Sequence, residues 1–198
     1  MCDGRLSRRR GGLQGVGGGS LDASSLETPG WSVNPGELEQ YLHEQIPICR
    51  AMGVSVGEAN SLAVALDAPL AVNINHQSTA FGGSLSAVAI LSAWSLLHLR
   101  LISSRMPSRL VTQRNSMEYL RPAHGAFTAR AGVKDLAAWP GFVRLLARRG
   151  RARLHMVAVV TSETRVVARL AGEFVAFGLS SEGARPVRSA SGSCSEEE

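Results

Sequence analysis

Residues 73–90 read NINHQSTAFGGSLSAVAI, and the two halves pull in opposite directions. The first half is made of residues that shape turns and stop helices, the second of residues that build helices. A helix therefore begins near Gly82, yet its start, Phe81-Gly82-Gly83-Ser84, carries a double glycine that an N-cap alone does not need. The first turn of a helix leaves backbone N–H groups without partners at the positive end of the dipole, and glycine lets a ligand come close to that backbone. The stretch thus predicts a helix and, at its start, a place where something binds.

The helix reads on to about Ser103. Leu85, Val88, Leu91, Trp94, Leu96, Leu97, Leu99 and Ile102 go nearly all the way round it, the mark of a helix wrapped by other structure. Ser84, Ser86, Ser92, Ser95, His98 and Arg100 interrupt the run, which argues against a membrane span. Upstream, SLAVALDAPL (61–70) predicts a strand, followed by the turn that holds Asn73 and Asn75. Before it, GELEQYLHEQIPICRAMG (36–53) sets Leu38, Leu42, Ile46 and Cys49 at helical spacing, with Pro35 ahead and Gly53 as a stop. That is a peripheral amphipathic helix. Downstream the pattern becomes strands at 110–120 and 126–133 around a Pro122–Gly125 turn. A short helix or irregular connection follows at 138–150, then a hairpin turning at Ser162-Glu163-Thr164. One buried helix against a mostly antiparallel sheet is an α+β architecture.

The ends differ in character. Residues 1 to about 30 and 180–198 are rich in Gly, Ser and charge and are expected to be disordered tails, leaving 31–179 as a single domain. Within 31–179 there are fifteen Lys and Arg against nine Asp and Glu, so the body itself prefers an anionic partner. Arg148, Arg149, Arg151 and Arg153 are its densest basic cluster; without interleaved aromatic residues it does not read as a nucleic-acid site. Cys2, Cys49 and Cys194 form neither a disulfide framework nor a metal-ligand spacing, which points to a reducing compartment. Arg8-Arg9-Arg10 has no apolar run behind it, and Asp3, Asp22 and Glu27 weaken a transit-peptide reading. A cytoplasmic location is expected, with organelle import left open.

The order of elements, with STAFGGSLSAVA at the helix start and MEYLRPAHGAFTARA in the following hairpin, resembles the hotdog-fold acyl-thioester proteins. Within them it is most similar to the YiiD C-terminal thioesterase-like family, whose members carry Asn-His-x-Gly-Thr-x-Phe-Gly-Gly-Ser at this place. Asn75-His76, Thr79, Phe81-Gly82-Gly83-Ser84, Tyr119-Leu120-Arg121-Pro122 and the Trp139, Phe142, Arg148-Arg149-Gly150 region fit, across about residues 37–178. Ser78 departs, standing where the family has glycine.

The resemblance implies a hotdog fold: a long central helix wrapped by a curved, mostly antiparallel sheet, assembled as a homodimer or higher homo-oligomer. A pantetheine thioester would enter at the dimer interface and place its carbonyl in an oxyanion hole formed by Gly83 and a neighbouring amide. Phe81, Gly82 and Ser84 would line that entry. Packing of the helix start against the sheet is the competing reading of the two glycines. Many relatives of this type carry a carboxylate seven residues after the second glycine; here that residue is Ile90, and no Asp or Glu occurs between Asp67 and Glu118. Glu118 or Asp135 of a partner subunit could replace it, against a plain surface role for each. Asn75 could hold the thioester carbonyl or a water, or form the turn; Thr79 could bind the acyl group or cap the helix; His76 could act as general base or be an ordinary turn histidine. Arg149, Arg151 and Arg153 suit the phosphates of coenzyme A or the acidic surface of an acyl carrier protein. The expected function is an acyl-CoA or acyl-carrier-protein thioesterase with no cofactor of its own, since the substrate carries coenzyme A or phosphopantetheine. A malonyl-thioester decarboxylase using the same site and a non-catalytic acyl-thioester binding module are the alternatives.

Overall fold

The long helix forms where the apolar run dictates. In the computed structural model, which describes residues 33–132 and 135–179, α3 spans Gly82–Ser103, and Leu85, Val88, Ala89, Leu96 and Leu97 are buried along it. Six strands surround it: β1 (Ser55–Ala59), β2 (Ala63–Ala68), β3 (Ser108–Tyr119), β4 (Phe127–Gly132), β5 (Arg151–Ser162) and β6 (Arg165–Gly178). They form one sheet in the order β1-β2-β4-β5-β6-β3, antiparallel at every step. The period-2 alternation of β5 turns Ala152, Leu154, Met156, Ala158 and Val160 onto α3 and leaves Arg151, Arg153 and His155 on the opposite, outer face. This is the hotdog arrangement that the resemblance implies. By length and hydropathy α3 is apolar enough to cross a membrane, but about two thirds of it is buried inside this fold as its core.

At 22 residues α3 is ~33 Å long and gives the molecule two ends. At its start, the Ala80 amide donates to the Ala123 carbonyl, and β3 and β6 meet at Tyr119 and Ala168. Near its other end Arg100 is buried, donates Nη1 to the Ser61 carbonyl at 2.5 Å and lies over the Trp139 ring at 4.4 Å. Burial there pushes the guanidinium pKa down. Trp139 belongs to α4 (Ala138–Arg149), a full helix where the sequence left a helix or an irregular connection open; Gly150 ends it at φ 64, a left-handed position natural to glycine.

Three expectations are corrected. The helix read across 36–53 is two, α1 (Pro35–Gln45) and α2 (Ile48–Ala51), because Pro47 cannot continue the hydrogen-bond ladder and holds Ile46 in an extended conformation (φ −134, ψ 80). Asn34 caps α1 by accepting the Gly36 amide at 3.0 Å. A second strand, β1, precedes α3; only its Val56 and Ala59 are buried, and a bulge at Val56/Glu58 breaks the alternation that would have announced it. Lastly, α3 is not apolar-covered all round. Ile102 is 58% exposed, and on the same flank His98 stacks on Trp94 (4.5 Å) and on Tyr41 of α1 (5.2 Å). The expected tails at 1–30 and 180–198 lie outside the described residues.

Candidate active site

The loop between β2 and α3 is built by two asparagines. Asn73 is buried; its Nδ2 donates to the carbonyls of Met52 and Pro69, both at 2.8 Å, and its own carbonyl accepts the Phe81 amide at 2.7 Å. It ties the helix start to α2 and the end of β2. Asn75 folds the next turn on itself: Oδ1 accepts the amides of Gln77 (2.8 Å) and Thr79 (3.3 Å), and Nδ2 donates to Thr79 Oγ1 (3.0 Å). Both polar ends of Asn75 and the Thr79 hydroxyl are thereby engaged in holding the turn, and Thr79 does not cap α3. Ser78 stands between them at φ 60. A left-handed backbone there explains why glycine suits this position, and serine pays for it in strain.

This turn delivers the chain to α3 at Phe81, which occupies the N-cap position in an extended conformation (φ −64, ψ 130) and has no side chain to accept hydrogen bonds from the first turn. The amides of Gly82, Gly83 and Ser84 are those orphan donors. The glycines also serve packing. A Cβ on Gly83 would overlap the Phe81 ring, and one on Gly82 would stand 3.4 Å from the Tyr119 ring, whose hydroxyl donates to the Gly82 carbonyl at 3.0 Å. Two aromatic rings therefore flank the start of the helix. Phe81, Tyr119, Leu120 and Ile74, which bridges Ala80, are all exposed. An array of polar donors rimmed by exposed apolar side chains suits a ligand with a polar carbonyl and an apolar body.

The remaining candidates are distributed as follows. His76 is exposed on the turn. Ile90 is half-buried and packs on the core, so α3 offers no carboxylate. Glu118 extends from the outer face of the sheet, opposite α3, and approaches Arg169 at 3.9 Å; Asp135 accepts the Ala137 amide near the start of α4. Arg149 is exposed in the last turn of α4, Arg151 lies over Phe177 at 5.3 Å, and Arg153 donates to Glu173 at 3.1 Å. Arg151 pairs with Phe177 and Tyr119 with Ala168, nine residues apart on β6, so within one chain the arginines stand ~30 Å from the helix start. Sequence reasoning missed two groups beside the site. His124 and Glu163, with Arg121 and Arg165, line a hollow of about 200 Å³ under the loop that holds Ala123. Glu163 and Thr164 form the hairpin turn with both residues at positive φ (49 and 67), a conformation for which the sequence carries no glycine signal.

A long helix wrapped by an antiparallel sheet, with an uncapped, double-glycine helix start, defines the hotdog acyl-thioester class. The match to a family model described as "Putative thioesterase (yiiD_Cterm)" runs over residues 36–178, and the chain belongs to that family. Among solved structures, one of unknown function from Chlorobaculum tepidum is similar at 25% identity and TM-score 0.69, over 75% of this chain and 99% of that one. A "putative thioesterase" from Shewanella oneidensis shares the fold at 23% identity and TM-score 0.65, over 72% and 96% of the two chains. A thioesterase from Haemophilus influenzae shares it at 14% identity and TM-score 0.60, over 75% and 93%. The chain is thus of the thioester-hydrolase class.

Proposed function

We propose that this protein hydrolyses acyl thioesters of coenzyme A or of an acyl carrier protein, binding the thioester carbonyl at the first turn of α3. The observation that carries the reading is the uncapped start of α3 among exposed Phe81, Tyr119, Leu120 and Ile74. The carbonyl oxygen would accept from the Gly83 amide and a neighbour, whose donors are fixed by the helix and need no reorganisation as charge develops. Water adds to the carbonyl carbon, the C–S bond breaks, and the proton lost by water ends on the departing thiol or its surroundings. His76, His124 and Glu163 are groups at this end from which a base could be drawn. The reaction calls for no cofactor, because the pantetheine belongs to the substrate.

A homodimer completes the site in this reading. β3 is a twelve-residue strand whose one neighbouring strand among the described residues is β6, and it ends at Tyr119 beside the helix start. Exposed edges of this length are normally covered. Antiparallel pairing of β3 with its copy would set the Arg109 end of one chain beside the Tyr119 end of the other, bringing the arginine cluster of the partner near the site.

A second reading, decarboxylation of a malonyl thioester, is favoured by the absence of acidic residues from α3 and its loop, since an enolate needs N–H donors and no nucleophile. One panel separates the readings. Acyl-CoA, acyl-carrier-protein and malonyl-CoA thioesters are incubated with the protein while free thiol and CO₂ are followed. Thiol release without CO₂ supports hydrolysis, CO₂ with the thioester intact supports decarboxylation, and binding without either product leaves a non-catalytic module.

A further inference from the structure

The outward arc of α4 is basic. Trp139, Phe142 and Leu146 turn inward and are buried, while the opposite side carries Gly141, Arg144, Leu145, Arg148 and Arg149, all exposed. Helical spacing sets the three guanidinium groups around Leu145, which is 40% exposed. Among the described residues none of the three enters an ion pair. The helix dipole accounts for cations in the last turn, Arg148 and Arg149, but not for Arg144 beside them or for an exposed leucine in their midst. Arg144 and Arg148, one helical turn apart, repel each other, so the face favours an anion laid across it.

The Gly178 amide donates to the Gly150 carbonyl at 2.8 Å and the Leu179 amide to the Pro107 carbonyl at 3.1 Å, so the chain reaches Leu179 beside the last turn of α4. Beyond it the sequence reads SSEGARPVRSASGSCSEEE (180–198), and Glu196-Glu197-Glu198 is the one place in the whole chain where acidic residues are adjacent. Glu196 follows Leu179 by seventeen residues, up to ~56 Å of chain, whereas α4 with its twelve residues is ~18 Å long. We propose that Glu196, Glu197 and Glu198 dock on Arg144, Arg148 and Arg149 of their own chain, a built-in anion that any other anionic partner of this face must displace. Three charges against three form a network rather than an isolated surface pair, and the tether holds the acidic run at a roughly millimolar local concentration. The contact rests on charge and reach and stands whether or not the protein hydrolyses thioesters; under the proposed hydrolysis it withholds Arg149 from the anionic carrier.

Cys194, two residues before Glu196, makes the contact testable in the full chain by disulfide trapping, since Cys49 is buried and Cys2→Ser removes the remaining thiol. A partner thiol is placed by Leu145→Cys, or for reference by Leu62→Cys, 60% exposed next to Ser61, whose carbonyl holds the Arg100 that lies over Trp139 at the other end of α4. The rate of cross-linking to Cys194 in a glutathione redox buffer is read on non-reducing gels. Leu145→Cys should cross-link at least tenfold faster than Leu62→Cys, at the mass of one chain. Glu196→Gln, Glu197→Gln and Glu198→Gln together should abolish that preference; removing negative charge beside Cys194 favours its thiolate, so slower cross-linking cannot be a thiol effect. Glu196→Lys, Glu197→Lys and Glu198→Lys, combined with Arg144→Glu, Arg148→Glu and Arg149→Glu, should restore it, with melting curves confirming that every variant folds. Equal rates at the two introduced cysteines, a preference that survives the glutamine substitutions, a charge reversal that fails to recover it, or a product of twice the chain mass overturns the proposal.

Discussion

Ser78 shows how much one backbone angle explains. At φ 60 it occupies a conformation that strains a non-glycine residue by about 1–2 kcal/mol, and glycine returns roughly 0.5–1 kcal/mol of that through its freer unfolded chain. Ser78→Gly should therefore raise the melting temperature by a few degrees while the turn keeps its shape; a lower value would show that the serine side chain holds something the backbone does not. Asn75 is the companion case. Its side chain closes the turn through Gln77 and Thr79, and losing an engaged amide of this kind typically costs ~1–2 kcal/mol. Asn75→Ala should lower thermal stability and turnover together. If turnover collapsed with the melting temperature unmoved, Asn75 would instead be a direct ligand of the thioester.

Among the elements, the flank of α3 that carries Trp94 and His98 is expected to respond to pH. Burial holds the His98 pKa below the ordinary histidine range. The folded protein thus favours the neutral ring, the unfolded chain takes up the proton first, and the stability present above pH ~6.5 is lost as pH falls below it. The melting temperature should drop between pH 7 and pH 5, and drop less in His98→Phe, which keeps a ring against Trp94 and Tyr41. Equal drops in both would place the titrating group elsewhere.

The same elements show what a sequence can reveal. α3 and the β5–β6 hairpin are legible to the residue or nearly so, because their apolar stretches are long. β1 was not, because its five residues bury only Val56 and Ala59 and a bulge shifts its register. The break at Pro47 lies inside a stretch where Ile46 and Cys49 keep helical spacing with Leu38 and Leu42, so the spacing reads through it. At the site, the glycines and the loop were legible as a motif. The engagement of Asn75 by Thr79 is local but depends on how the turn closes, and the approach of His124 and Glu163 depends on chain segments that meet only in three dimensions.

At the scale of the whole molecule, the helix start and the arginine cluster stand at opposite ends of α3, whereas the proposed thioester with an anionic carrier would use both. A dimer paired along β3, as proposed, would resolve this by lending each site the partner's arginines. Arg151→Glu should then raise KM for acyl-CoA several-fold with kcat little changed, and the effect should shrink as salt screens the charges. A fall in kcat at unchanged KM would place Arg151 outside substrate capture.

The claim on which the function rests is that the Gly83 amide holds the thioester carbonyl. Gly83→Ala and Gly83→Pro both crowd the Phe81 ring, but only proline lacks the N–H, and proline is tolerated in the first turn of a helix. Comparing kcat for the two on a thioester that the parent cleaves, with melting curves alongside, therefore isolates the donor. Gly83→Pro should be slower than Gly83→Ala by about 10²–10³, the usual effect of losing one oxyanion donor, with both variants folded. Equal turnover by the two would mean that the amide does no chemistry and that the double glycine exists to seat Phe81 and Tyr119.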